Sequence, residues 1–276
     1  MVWSDLGKRS AVALVCIPIV FLIVLIGHVP FLIFVNIILA MALWEFYLLT
    51  EKKGFFPSKI PGIAATLVIS WGLYFNYEKE MWSVLLLVFM VVLIFELFKR
   101  KMHALVNASV TIFGVLYISL FSSFILIREI PLIVDRPYLT GGWLIMLIFL
   151  SIWICDTGAY VLGSTIGKQS LYKRISPKKT WEGAIGGFLI GIGAAIGFNM
   201  LFTLRLLLVD SIVIGIIVGT VGQLSDLIES MFKRDAGVKD SSSFLPGHGG
   251  ILDRFDSPLL VGPSIYLYLM VRGFPI

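Results

Sequence analysis

Asp226, Glu229 and Lys233 stand three and four residues apart, a spacing that puts all three on one face of a helix. Asp253 and Asp256 repeat the three-residue step just after a glycine turn, Pro246-Gly247-His248-Gly249-Gly250. Asp156 closes an apolar run within Cys155-Asp156-Thr157-Gly158-Ala159-Tyr160. Three separate segments thus offer carboxylates that could meet at one surface. Converging carboxylates with basic neighbours suit a hard cation such as Mg²⁺ when the substrate also brings phosphate oxygens. The alternative is a set of independent ion pairs.

The basic residues cluster beside these carboxylates. Lys233, Arg234, Lys239 and Arg254 flank the glycine turn. Glycines there permit positive φ and close backbone approach, and successive N–H groups can form a nest for an anion. Upstream, Ser176-Pro177-Lys178-Lys179-Thr180 sets two lysines beside hydroxyls, a pattern suited to phosphate. A polybasic loop that only touches anionic lipid is the other reading of that stretch. Gly163-Ser164-Thr165-Ile166-Gly167-Lys168-Gln169 looks like a nucleotide phosphate loop but is too short, and Gln169 replaces the hydroxyl that would hold Mg²⁺. That class of nucleoside triphosphatase is excluded.

The elements that must position these groups are membrane helices. Hydrophobic residues make up 58% of the 276 and charged residues 14%, against about 45–50% and about 25% in a soluble domain. With a mean hydropathy of +0.97, the chain can be neither a soluble globule nor disordered. The segments are apolar all round, which excludes a β-barrel. The expected fold is all-α and polytopic, with about nine spans. They are placed near Ala11–Gly27, Pro30–Leu49, Ile60–Phe75, Met81–Phe98, Ala108–Ile127, Gly142–Gly163, Ala184–Phe202, Ser211–Leu227 and Pro258–Val271, the third and last being short. The first follows Lys8 and Arg9 with no small-residue cleavage site after it, so it is read as an uncleaved span.

With the N-terminus in the cytoplasm, only Lys79, Arg128, Arg136, Arg205 and Arg272 of the 22 Lys and Arg lie outside. That bias sets the orientation. The net charge of +5 therefore reports topology first, and no nucleic-acid partner is expected. The organisation expected is an N-terminal set of about five spans (1–138) and a C-terminal catalytic region (139–276) with cytoplasmic loops 164–183 and 229–257. Glu45 and Glu96 lie near cytoplasmic helix ends, each ahead of basic residues, and are expected to form interfacial ion pairs. Cys16 and Cys155, far apart in apolar segments, are expected to be packed thiols.

Residues Ser230 to Asp256 resemble the signature of the CDP-diacylglycerol synthase (phosphatidate cytidylyltransferase) family. The run is Ser230-Met231-Phe232-Lys233-Arg234, then Lys239-Asp240, then His248-Gly249-Gly250-Ile251-Leu252-Asp253-Arg254-Phe255-Asp256. Asp156–Tyr160, Ser176–Thr180 and Asp226–Ser230 also look like family blocks; Ser225 stands where many relatives would have Gly. The resemblance covers roughly the C-terminal half. It implies transfer of a cytidylyl group from CTP to phosphatidic acid in the cell (inner) membrane, dependence on a divalent metal, and a homodimer.

Under that resemblance Asp226, Asp253 and Asp256 are expected metal ligands, with Asp156 a further candidate. Lys178, Lys179, Lys233, Arg234, Lys239 and Arg254 are expected to bind phosphate, with Ser176 and Thr180 beside them. Gly247, Gly249 and Gly250 shape the turn, and His248 donates to a phosphate rather than acting as a base. Two rival readings fit the residues less well. A CDP-alcohol phosphatidyltransferase would carry paired acidic motifs in one helix that this chain lacks. An ion-coupled transporter would place polar residues near the midplane in symmetric halves.

Overall fold

A computed structural model of the chain describes residues 18–77, 79–99, 101–130, 137–242, 244 and 249–274. Residues 18–26 are helical (α1). There follow α2 (His28–Glu51), α3 (Lys59–Tyr74), α4 (Met81–Lys99) and α5 (Ala104–Ser119), which runs through a single 3₁₀ turn, Leu120–Ser122, into α6 (Ser123–Arg128). Next come α7 (Pro137–Ile166), a hairpin of β1 (Ser170–Tyr172) and β2 (Ser176–Thr180), and α8 (Trp181–Phe202). The chain closes with α9 (Leu208–Ile217), a π turn over Val218–Gly222, α10 (Gln223–Asp235) and α11 (Leu252–Val271).

Six helical stretches among the described residues are long and apolar enough to cross a membrane: His28–Glu51, Met81–Lys99, Ala104–Arg128, Tyr138–Ile166, Trp181–Phe202 and Leu208–Asp235. The first, 24 residues long, reaches about 36 Å at about 1.5 Å per residue, enough for a hydrocarbon core of about 30 Å. Helix α3 has 16 residues and falls short. Residues 11–17 of the expected first span, with Cys16, lie outside the described residues, and 18–26 are helical.

Two compact units emerge, each from two stretches: Met1–Ile125 with Phe232–Phe255, and Leu126–Met231 with Asp256–Ile276. In the first, α2, α3, α4 and α5 pack together. Its centre is aromatic. Phe232, near the end of α10, meets Phe46, Phe113 and Tyr117 edge-on at 5.7–5.9 Å between ring centroids. Phe255, in the first turn of α11, lies against Phe34 and Phe121. These anchors fix both ends of the segment that carries the glycine turn.

In the second unit, small residues let two helices approach closely. Gly183, Gly187 and Gly191 recur every fourth residue along α8 and face α7. A Cβ on Gly187 would lie 2.9 Å from the Cys155 carbonyl oxygen, and one on Gly183 would lie 2.6 Å from that of Ala159. With lipid as the competing solvent, such backbone contact is what holds membrane helices together. Cys155 is buried against Gly191. Asp210, buried in the first turn of α9, accepts from the Tyr268 hydroxyl at 2.6 Å and Arg272 Nε at 3.0 Å, tying α11 to α9.

Two expectations change. The expected all-α fold gains a strand pair in the loop 164–183: Ser170 pairs with Thr180 and Tyr172 with Ser176 in an antiparallel hairpin, so the fold is helical with one small sheet. The loop 229–257 is shorter than expected. Helix α10 continues to Asp235 because Phe232 anchors it, and α11 begins at Leu252.

Candidate active site

In the unit Leu126–Met231 with Asp256–Ile276, β2 delivers Lys179 to α10. The Lys179 ammonium pairs with Asp226 Oδ2, and Asp226 Oδ1 accepts from Ser230 Oγ at 3.3 Å, one helical turn on. Asp156, exposed on α7, lies within electrostatic reach of both Asp226 and Lys179. At the start of α10, Gln223 Nε2 donates to the Gly219 and Ala184 carbonyls, so the π turn leads toward Asp226 with the Gly219 backbone oxygen satisfied. Thr180 caps α8: its Oγ1 accepts from Gly183 N at 3.2 Å. Lys178 is exposed on β2 and Ser176 half-buried. Asp256 Oδ1 accepts from Ser257 N at 2.7 Å, and its carbonyl accepts from Ser225 Oγ. Ser225, at the position where glycine was expected, is fully buried in that contact.

The unit Met1–Ile125 with Phe232–Phe255 holds the glycine turn. Lys233 Nζ donates to Asp253 Oδ1 at 2.6 Å, with side-chain exposures of 10% and 6%. Asp253 Oδ2 accepts from Gly250 N at 2.8 Å, Ser241 N at 3.0 Å and Ser241 Oγ at 2.9 Å. Burial alone would push the Asp253 carboxyl up. The hydrogen bond and charge of Lys233, with the N–H groups of Gly250 and Ser241, outweigh it and hold the carboxyl below the usual aspartate range. Gly249 has φ +79°, where a side chain would be strained.

Around the turn, Arg234 Nη1 donates to the Val238 carbonyl at 2.9 Å. Arg234, Lys239 and Arg254 are exposed. Gly247 and His248 lie outside the described residues.

Sequence reasoning missed one residue. Glu45, on α2, is not an interfacial ion pair. It is 3% exposed and accepts from neutral donors: Ser241 Oγ, Ser242 Oγ, Ile251 N and Leu252 N. Its partners lie about two hundred residues downstream, and the only signal in the sequence was a carboxylate in an apolar helix. Glu96 does pair with Lys99, but it is buried and also accepts from Asn107 Nδ2 at 2.8 Å.

The donor set bears on a metal. Among the described residues no three His, Cys, Asp or Glu side chains group closely enough to hold one ion. Mg²⁺ commonly takes only one or two carboxylates, with water and substrate phosphate completing its shell. Asp226 and Asp156, both within reach of the Lys179 ammonium, fit that demand. Asp253 is saturated by protein donors and would have to exchange some of them to reach an ion.

Comparison with known proteins gives the family. A family model described as the cytidylyltransferase family matches residues 7–272. The phosphatidate cytidylyltransferase of Bacillus subtilis (strain 168) is 34% identical over 277 residues, 96% of this chain and 98% of that protein. That of Staphylococcus aureus (strain COL) is 33% identical over 273 residues, covering 95% and 98%. That of Haemophilus influenzae (strain Rd) is 43% identical over 141 residues, 49% of this chain and 48% of that protein. The chain belongs to the cytidylyltransferase family.

Proposed function

We propose that this protein transfers the cytidylyl group of CTP to phosphatidic acid, giving CDP-diacylglycerol and pyrophosphate. The observation that carries this reading is the end-to-end relationship to phosphatidate cytidylyltransferases, in a chain with membrane-length helices.

The residue chemistry supports it. A phosphate monoester has a second pKa of about 6, so phosphatidate is already an oxyanion nucleophile at neutral pH and needs no general base. A phosphate oxygen of the lipid forms a bond to the α-phosphorus of CTP. The bond from that phosphorus to the β-bridging oxygen breaks, and pyrophosphate leaves with the electron pair. The obstacle is repulsion between two polyanions. Lys178, Lys179, Lys239, Arg234 and Arg254 offset it by binding phosphate oxygens; the Gly250 N–H is already given to Asp253, so what the turn offers is close backbone approach at Gly249. His248, beside Gly247, is a further proposed donor to a phosphate oxygen. Mg²⁺, when bound, would neutralise phosphate charge; Asp226 and Asp156 are its proposed ligands, while Asp253 and Asp256 could serve only by exchanging the protein donors they now hold.

The proposed topology has nine spans, a cytoplasmic N-terminus and a site at the inner face of the cell membrane, where phosphatidate enters sideways from the leaflet. The charge bias between loops supports it. A homodimer is the proposed assembly. The test is reconstitution into vesicles containing phosphatidate, with CTP labelled at the α-phosphate. Label in the lipid fraction is the expected result; folded protein that moves none into lipid overturns the reading.

A further inference from the structure

We propose that Glu45 is the positioning residue of the glycine turn, holding Gly250 to Asp253 in the geometry that receives substrate phosphate. The inference rests on the cytidylyl-transfer reading above.

Glu45 sits in a membrane-length helix and is 3% exposed. A carboxylate there is unfavourable unless every lone pair in use finds a donor. The turn supplies them. Oε1 accepts from Ser242 Oγ at 2.7 Å and Ile251 N at 3.0 Å; Oε2 accepts from Leu252 N at 2.8 Å and Ser241 Oγ at 2.9 Å. Ile251 N and Leu252 N lead into α11, where helix N–H groups have no partner within the helix. Ser241 and Ser242 lie on the other arm of the turn. One carboxylate therefore grips both arms. Its charge is met by backbone and hydroxyl dipoles, whereas Asp253 has Lys233.

The grip passes to Asp253 through one atom. Ser241 Oγ is 2.9 Å from Glu45 Oε2 and 2.9 Å from Asp253 Oδ2. A hydroxyl has one proton, so Ser241 donates to one carboxylate at a time or shares that proton between the two, and a shift of either carboxylate is felt by the other. Gly250 completes the fit: a Cβ there would run into Ser241 Oγ and come 2.7 Å from Glu45 Cδ. No side chain at position 250 is compatible with the carboxylate in place.

The substitutions separate charge from shape. Glu45→Gln keeps the shape but turns an NH₂ toward at least one backbone N–H. Glu45→Asp keeps the charge one methylene short. Ser242→Ala removes one donor and leaves the charge.

Two readouts are taken on the reconstituted full-length enzyme. The first is kcat and KM for CTP and for phosphatidate, per folded molecule. Glu45→Gln should lose at least about tenfold in kcat/KM, with Glu45→Asp recovering part. Constants within about twofold of the parent in Glu45→Gln, or no recovery in Glu45→Asp, would overturn the proposal. The second is amide exchange at Ile251 and Leu252, which should be at least about tenfold faster in Glu45→Gln and slightly faster in Ser242→Ala. Unchanged exchange overturns the proposal whatever the activity. Where Glu45→Gln does not fold, Glu45→Asp and Ser242→Ala decide both readouts: a graded loss supports the proposal and parental behaviour in both overturns it. A parent enzyme inactive on CTP and phosphatidate would instead refute the reaction, while exchange still judges the grip of Glu45.

Discussion

Lys233 Nζ lies 2.6 Å from Asp253 Oδ1, and the pair joins the last turns of α10 to the first turn of α11 with both side chains buried. Among the described residues the Lys233 ammonium is the one cation paired with this carboxylate, which already accepts three further hydrogen bonds. Breaking a buried pair by removing one partner typically costs about 3–5 kcal/mol, because the other charge is left uncompensated. Lys233→Met should therefore lower the melting temperature clearly and abolish turnover. Adding Asp253→Asn should restore part of the melting temperature, since the charge is gone while the amide oxygen still accepts from Gly250 N and Ser241 N. It should restore no activity. Thermal melts of the two variants beside an activity assay check this; a double variant no more stable than Lys233→Met would contradict it.

The same pair predicts a pH response. The Asp253 carboxyl is held below its ordinary value, by Lys233 and two backbone N–H groups against the pull of burial. Its contribution to stability is therefore complete above the unfolded value of about 3.9 and is lost as pH falls through the lower folded value. The melting temperature of the parent should drop below about pH 4 more steeply than that of Asp253→Asn. Equal slopes would remove Asp253 from the acid response.

Lys179 and Asp226 form a more exposed pair, with side-chain exposures of 29% and 27%. Screening makes such a pair worth less than about 1 kcal/mol in stability. Asp226→Asn should thus melt near the parent temperature yet lose about a hundredfold or more in turnover, with half-maximal activity shifted to higher Mg²⁺. Full activity at the parental Mg²⁺ requirement would exclude Asp226 as a ligand.

The topology predicts which side each loop faces. Lys173 and Arg205 are both exposed, in the hairpin and in the connection between α8 and α9. In a background with Cys16→Ser and Cys155→Ser, a cysteine at 205 should react with an impermeant maleimide in intact cells. A cysteine at 173 should react only after the membrane is opened. The reverse pattern would invert the orientation.

Much of the fold could be read from apolar length. Met81–Phe98 was the expected span and α4 is Met81–Lys99; Pro30–Leu49 became His28–Glu51. The hairpin was not legible, because strands of three and five residues with two lysines and a proline carry no alternation of apolar and polar positions. Nor was the π turn, where Val218-Gly219-Thr220-Val221-Gly222 reads as ordinary apolar helix. Helix α11 continues through Pro258 and Pro263, although prolines usually end or kink a helix. At the site, the i, i+3 and i+4 spacings located Asp226 and Lys233 on one helix correctly. They could not show that Lys179 reaches Asp226, that Ser241 bridges Glu45 and Asp253, or that Thr180 is spent on capping α8. Those are long-range contacts, fixed by packing that no local pattern encodes.

The most direct test of the account is the product ratio. Vesicle-reconstituted protein is supplied with CTP, phosphatidate and Mg²⁺, and pyrophosphate and CDP-diacylglycerol are counted in the same reaction. Cytidylyl transfer predicts equal amounts of the two, and neither when phosphatidate is left out. Pyrophosphate formed without the nucleotide lipid, or inorganic phosphate in its place, would contradict it.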